Sequence, residues 1–240
     1  MKVGIFTDIN NNLIALVEVI KKLKEYGCDT FFGAGDIVGI GPFLNETLDL
    51  IRNIKNLTIV KGNHERYMFE DFSTEIMDDT EIEHYRWESL LLTDVNRAFL
   101  KDISYEISII IDEVSIRVVH YSMNEQKKYN EIINNPTVED IKIMFKDYSE
   151  DIIIYGHDHS PNVVRTNNQL FINAGSLGCP SYKKNIANAG VLTIEDSKYL
   201  YEQLEIEYDS SLVVSKILEL NYPASKEILK YFYGITDENI

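Results

Sequence analysis

The sequence of 240 residues predicts an α/β protein, and three observations carry that reading. Short apolar runs alternate with amphipathic helical runs through the N-terminal half, which implies parallel strands joined by helical crossovers. Five apolar runs end on a residue able to bind a metal. Later apolar runs come in pairs around short polar turns, the mark of antiparallel hairpins.

The elements follow in order. "KVGIFTD" is a short apolar strand and "NNLIALVEVIKKLKEYG" a helix. Its Leu13, Leu16, Val17, Ile20 and Leu23 fall at helical spacing, and Gly27 suits its stop. "DTFFGAGD" is a second strand, "FLNETLDLIRNI" a helix and "LTIVKGN" a third strand. Residues 65–101 read as a helical insert in which Trp87, Leu90, Leu91 and Val95 share one face. "YEISIII" and "VSIRVVH" flank "DE" as a hairpin, "TVEDIKIMFKDY" is a helix, and "DIIIYGHDH" is a strand. "NVVRT" and "LFINAG" around "NNQ" form a second hairpin, with "AGVLTIED" and "YLYEQLEIEY" as late strands. The tail from Ser210 is mostly helical. No repeat, low-complexity tract or Pro/Gly-rich linker marks a boundary, so residues 1–240 are expected to form one domain.

Composition narrows the partners. A net charge of −16 argues against a nucleic-acid partner and against an anionic membrane, both of which it would repel. Cys28 and Cys179 lie far apart and outside any CxxC pattern, which leaves no disulfide framework and points to a reducing compartment. Met1 and Lys2 lead straight into "VGIF", too short for a signal-peptide core. No apolar run approaches the ~18 residues of a membrane span. The cytoplasm is the expected location.

The polar residues are placed in a telling way. Asp8 closes "IFTD", Asp36 closes "FGAGD", and Asn63 with His64 closes "IVKGN". His120 closes "RVVH", and His157 and His159 close "IYGHDH". In open α/β sheets the carboxyl ends of strands are where ligands bind, because rigid strands hold converging loops there. Two carboxylates, an amide and several imidazoles suit one or two divalent ions, and mixed N/O donors suit Mn, Fe, Zn, Co or Ni better than Ca or Mg. Singly, each has a duller reading: Asp8 and Asp36 as turn or cap residues, Asn63 as a turn former, His120 as a core histidine. The conjunction outweighs these, since four of the five histidines stand at strand ends beside Gly, Asp or Asn. His84, in a charged helical stretch, reads as an ordinary helix residue.

"TDIN", "GAGDIVGIGP", "KGNHE", "VVHYS" and "YGHDH" resemble, in order, a family pattern of D-x-H, G-D-x-x, G-N-H-[DE], strand-end His and G-H-x-H. That pattern marks the calcineurin-like metallophosphoesterase superfamily, and the resemblance spans roughly residues 1–160. "GDIVGIGPFLNE" and "INAGSLGCP" resemble its small prokaryotic phosphodiesterase and diadenosine tetraphosphatase-like branch. The resemblance implies an α/β (α+β) fold: a four-layer αββα sandwich of two mixed β-sheets flanked by helices, with the 65–101 insert as a cap. It implies two divalent metal ions, Mn or Fe ahead of Zn, Ni or Co. Asp8, Asp36 and His159 would bind one ion, with Asn10 standing where the D-x-H histidine would be. Asp36 would bridge to the second, completed by Asn63, His120 and His157. A metal-bridging hydroxide would attack phosphorus in line, and His64 would protonate the leaving oxygen. Strand alternation in "HDH" is expected to send His157 and His159 the same way, one to each ion.

Three departures qualify the implied picture. Asn10 is a weaker ligand than imidazole and serves equally as a helix cap. "GDIVGIG" lacks the Asp and Arg of the protein-phosphatase branch, which leaves His64 without an orienting partner. Asp158 is expected to face solvent, the alternative being that its charge helps to retain cations. The implied activity is hydrolysis of a small phosphoester, either a nucleotide-like phosphodiester or a dinucleoside polyphosphate. Tyr67, Phe69, Phe72, Tyr85 and Trp87 either stack on a base over the site or simply belong to the core. The rival reading is a binding module that keeps the fold without turnover; Asn10 favours it, and the intact His64 and histidine set oppose it. A nuclease is disfavoured by the acidic balance. Homo-oligomerisation stays open.

Overall fold

In the computed structural model, residues 1–69, 77–180 and 183–236 are described. The chain opens with β1 (Lys2–Phe6), buried except at its first residue because it runs through the middle of a sheet. Helix α1 (Leu13–Glu25) starts where Asn12 accepts a hydrogen bond from the Ala15 N–H. It buries Ala15, Leu16, Val19, Ile20 and Leu23. Val17, expected on that face, is 45% exposed, because Val19 and Ala15 centre the apolar stripe one residue away from it.

Strand β2 (Thr30–Gly33), α2 (Leu44–Asn53), β3 (Leu57–Ile59) and the short α3 (Asn63–Tyr67) follow. The insert contains α4 (Asp79–Leu91) and α5 (Asp94–Asp102), and Phe72 lies outside the described residues. The expected Trp87–Leu90–Leu91–Val95 face is not formed: Leu90, Leu91 and Val95 are all exposed. Thr93 caps a new helix and breaks the periodicity, while α4 buries His84, Tyr85 and Glu88 against loops of the candidate site.

The second half contains β4 (Glu106–Ile111), β5 (Val114–Val119), α6 (Val138–Met144) and β6 (Ile152–Tyr155). Then come β7 (Asn162–Arg165), β8 (Leu170–Asn173), β9 (Ile186–Glu195) and β10 (Lys198–Glu207). Helices α7 (Ser210–Leu220) and α8 (Ser225–Ile228) lead into a π-helical turn, Leu229–Tyr233. Asp112 and Glu113 both take positive φ, which makes the two-residue turn that the β4–β5 hairpin needs.

The strands form two five-stranded mixed sheets, ordered β10-β9-β1-β2-β3 and β4-β5-β6-β8-β7. Val3, Ile5, Phe32 and Val60 of the first meet Ile116, Val118, Ile154 and Ile172 of the second in an apolar layer. Each such side chain contributes roughly 1.5–3 kcal/mol by leaving water. On the outer face of the first sheet pack Leu16 and Leu23 of α1 with Val213 and Ile217 of α7. On the outer face of the second, Ile141 and Phe145 cover Ile153 and Phe171. The result is the expected four-layer αββα sandwich. Among the described residues no helix is long and apolar enough to cross a membrane. Both cysteines are free and buried.

Candidate metal centre

Parallel pairing of β1 with β2, β2 with β3, and β5 with β6 turns their carboxyl ends toward one rim. Left-handed backbone gathers there. Asp8, Asn10, Asn11, Asp36, His157 and His159 all have φ between 48° and 80°. Non-glycine residues rarely adopt that conformation, and their clustering at one site indicates strain held by the surrounding structure. "IYGHDH" therefore does not continue as a strand. β6 stops at Tyr155, and His157 and His159 reach the rim through left-handed turns rather than by pleat alternation.

The centre of the cluster is His120. Its Nδ1 donates to the Ala34 carbonyl at 2.8 Å, which leaves Nε2 facing three acceptors. These are Asn63 Oδ1 at 2.9 Å, His157 Nδ1 at 3.1 Å and Asp36 Oδ2 at 3.2 Å. A single proton can satisfy only one of the three. Donor atoms about 2.1 Å from one cation stand roughly 3 Å apart when they meet at right angles, so the spacing fits a divalent ion. Asp36, His120 and His157 form a group whose ligand atoms lie within 4.8 Å of one another. Burial alone would raise the Asp36 carboxyl, yet His120 and His64 beside it hold it well below the usual carboxylate range. Burial opposes charge on His120 as well, but the Asp36 carboxylate prevails and raises the imidazole to about 9. His157 is lowered to about 3 by burial and by the His120 charge.

Asp8 and His159 form a second pair, Oδ1 to Nε2 at 3.7 Å, on the same rim. The Asp8 carboxylate also accepts from the His157 backbone N–H at 3.1 Å. Burial raises its carboxyl. Asn10 is turned elsewhere: Nδ2 donates to the Val38 carbonyl at 3.4 Å, and Oδ1 accepts from the Cys179 thiol at 3.4 Å. Asp158, expected to face solvent, is half-buried instead. It bonds Asn173 and accepts from Ser160 N–H, and burial raises it to about 7.

His64 stands at the edge of the cluster, Nε2 3.6 Å from Asp36 Oδ2, too far for a hydrogen bond. Its Nδ1 lies 2.9 Å from the Tyr85 hydroxyl. A β-carbon at Gly39, whose φ is +85°, would collide with this imidazole, so glycine is required for the ring to sit there.

Sequence reasoning missed Glu65 and Tyr85. Glu65, fully buried, accepts from the backbone N–H groups of Asp36, Ile37, Val38 and Gly62 at 2.6–3.1 Å and so clamps the β2 and β3 loops together. Burial and the Asp36 charge raise it to about 7 against the pull of those donors. The acidic position of the G-N-H-[DE] pattern was its only signal in sequence. Tyr85 belonged to the aromatic set but carried no mark of its partner. Of the rest, Trp87 stacks on Tyr222 at 4.7 Å and Phe69 packs on the core, whereas Tyr67 lies edge-on to Tyr85 at 5.1 Å.

Comparison with known proteins places the fold and the family. The chain is 25% identical, over an alignment 240 positions long, to the uncharacterized protein MJ0912 of Methanocaldococcus jannaschii, covering 92% of this chain and 93% of that one. Its fold is similar to the hypothetical protein PH1004 of Pyrococcus horikoshii, with a TM-score of 0.84, 17% identity, and 98% and 99% of the two chains covered. A metallophosphoesterase of Sphaerobacter thermophilus gives a TM-score of 0.77 at 20% identity, covering 97% and 98%. Residues 1–197 match the family model described as the calcineurin-like phosphoesterase superfamily domain, and the chain belongs to that superfamily.

Proposed function

We propose that this protein hydrolyses small phosphoesters with two divalent ions held at the sheet rim, with Mn or Fe ahead of Zn, Ni or Co. The observation that carries the reading is the ring of acceptors around His120 Nε2, a donor set without enough protons to satisfy itself. Asp36, Asn63, His120 and His157 would hold one ion; Asp8, His159 and the shared Asp36 would hold the other. Asn10, engaged with Val38 and Cys179, leaves that second set one donor short of the family pattern. Divalent ions bound there supply Lewis acidity, acidifying water and drawing charge from phosphoryl oxygens.

The chain's own residues do the rest. Burial raises the Tyr85 phenol well above its usual value, so it keeps its proton and donates to His64 Nδ1. That places the imidazole proton on Nε2, the nitrogen facing Asp36, where a leaving oxygen would receive it. Tyr85 thus fills the orienting role for which the sequence offered no carboxylate. Glu65 holds the loops carrying Asp36 and Asn63 at a fixed separation. The substrate is a nucleotide-like phosphodiester or dinucleoside polyphosphate, and the cytoplasm, where two free cysteines persist, is the setting.

The test is hydrolysis of bis(4-nitrophenyl) phosphate with Mn, compared between the native protein and Asp36→Asn. Loss of at least about 100-fold is expected. Equal rates would remove the enzyme claim, and two ions bound calorimetrically without turnover on a broad panel would favour the binding module.

A further inference from the structure

Beside Asn63 and His64 opens a cavity of about 440 Å³, walled by α4 on one side and the C-terminal helical turn on the other. That volume suits a nucleoside-sized group. Tyr67, Tyr85, Tyr231 and Phe232 supply flat apolar walls, and Asp78, Glu81 and Glu227 supply carboxylates. Among the described residues the lining contains no lysine or arginine. Lys230, next to Tyr231, holds its ammonium over that ring at 5.7 Å and is not part of the wall.

Such a lining discriminates by charge. A chain of further phosphates brings about one negative charge per phosphate and needs cations to hold it. Here it would meet three carboxylates in a protein of net charge −16. A nucleobase brings the reverse: a π face for the aromatic walls and N–H donors for the acids. Asp78 and Glu81 cap α4 reciprocally, each accepting the other's backbone N–H at 2.9–3.1 Å, which occupies one oxygen of each. Their second oxygens, and Glu227, lie outside that capping pair.

We propose that this cavity seats the base of a nucleoside phosphoester, prefers bases with an exocyclic amine, and excludes a polyphosphate chain. The inference rests on the phosphoester reading above and narrows it to nucleoside esters without further phosphates. A carboxylate accepts from the 4-amino group of cytosine and repels the 4-oxo group of uracil, so the two pyrimidines form a matched pair.

Calorimetric titration of the full chain with cytidine and with uridine, metal-free and Mn-loaded, tests it directly. Cytidine should bind roughly tenfold tighter, the worth of one charge-assisted hydrogen bond. In the double variant Glu81→Gln/Glu227→Gln the ratio should fall to within about twofold, because glutamine offers donor and acceptor alike. Tyr231→Ala should weaken both nucleosides equally. The same variants should hydrolyse bis(4-nitrophenyl) phosphate at the native rate, since none of these residues touches the phosphoryl site. Equal binding of the two nucleosides, or faster hydrolysis of diadenosine tetraphosphate than of the nitrophenyl ester of cytidine 5′-phosphate, would overturn the assignment. A cytidine preference without any phosphoester hydrolysis would instead sink the enzyme reading and leave the cavity's ligand standing.

Discussion

Replacing Glu88 by glutamine keeps the side chain's shape and removes one titrating proton. Glu88 is fully buried in α4, accepts from Asn11 Nδ2 and the Gly39 N–H, and has one oxygen, Oε2, without a partner. Burial raises its carboxyl from 4.5 to about 8. The neutral form is therefore favoured in the fold, while the unfolded chain releases the proton above pH 4.5. Glu88 thus costs stability progressively as pH rises from 4.5 to about 8 and costs nothing further beyond. At pH 7 the gap from the unfolded value is 2.5 pH units, worth about 3 kcal/mol at 1.36 kcal/mol per unit. Glutamine escapes that cost. Its N–H₂ gains no partner at His84 Nε2, 3.7 Å from Oε2 in the native protein, because that ring nitrogen already accepts from Ile40 N–H. Urea denaturation of both proteins between pH 4.5 and 8, followed by Trp87 fluorescence, measures the difference. The two should be nearly equal at pH 4.5, with Glu88→Gln more stable by up to about 3 kcal/mol at pH 7. A constant difference across the range, or a less stable variant at pH 7, would refute the claim that Glu88 is held neutral.

Two further outcomes bear on His64. Tyr85→Phe keeps the ring and removes the hydroxyl, so kcat should fall roughly tenfold with KM and bound metal unchanged, as expected for one orienting hydrogen bond. Steady-state kinetics paired with metal analysis would show it, and a change confined to KM would contradict the role. Gly39→Ala drives a β-carbon into the imidazole and strains a φ of +85°. It should lower kcat by about 100-fold while the protein still binds metal, and unaltered turnover would mean that His64 need not sit where it does.

The metal-capable residues were legible because their signal is local. Asp8, Asp36, Asn63 and His120 each stand just beyond an apolar run, and parallel topology brings strand ends together whatever the loops do. The four layers were legible for the same reason, since period-two and period-3.6 patterns say which faces need covering. Misreadings came where a neighbour distant in sequence overrode the local pattern. The apolar residues Leu90, Leu91 and Val95 sit outside, while polar Glu88 and His84 sit inside, because Asn11, Ile40 and Pro223 supply their hydrogen bonds. Nothing in the sequence around Asp158 marks its partner Asn173, fifteen residues on, which keeps it from solvent.

By itself, then, the amino-acid sequence determined which metal-capable side chains would meet at one rim, because strand-end position is a property of short segments. Tertiary structure alone decided how they meet. The left-handed turns that aim His157 and His159, the Tyr85 hydroxyl on His64, the Glu65 clamp and the acidic aromatic cavity all join residues far apart in the chain. Hydrogen-bond partners and cavity walls are properties of packing, and no pattern within one segment encodes them.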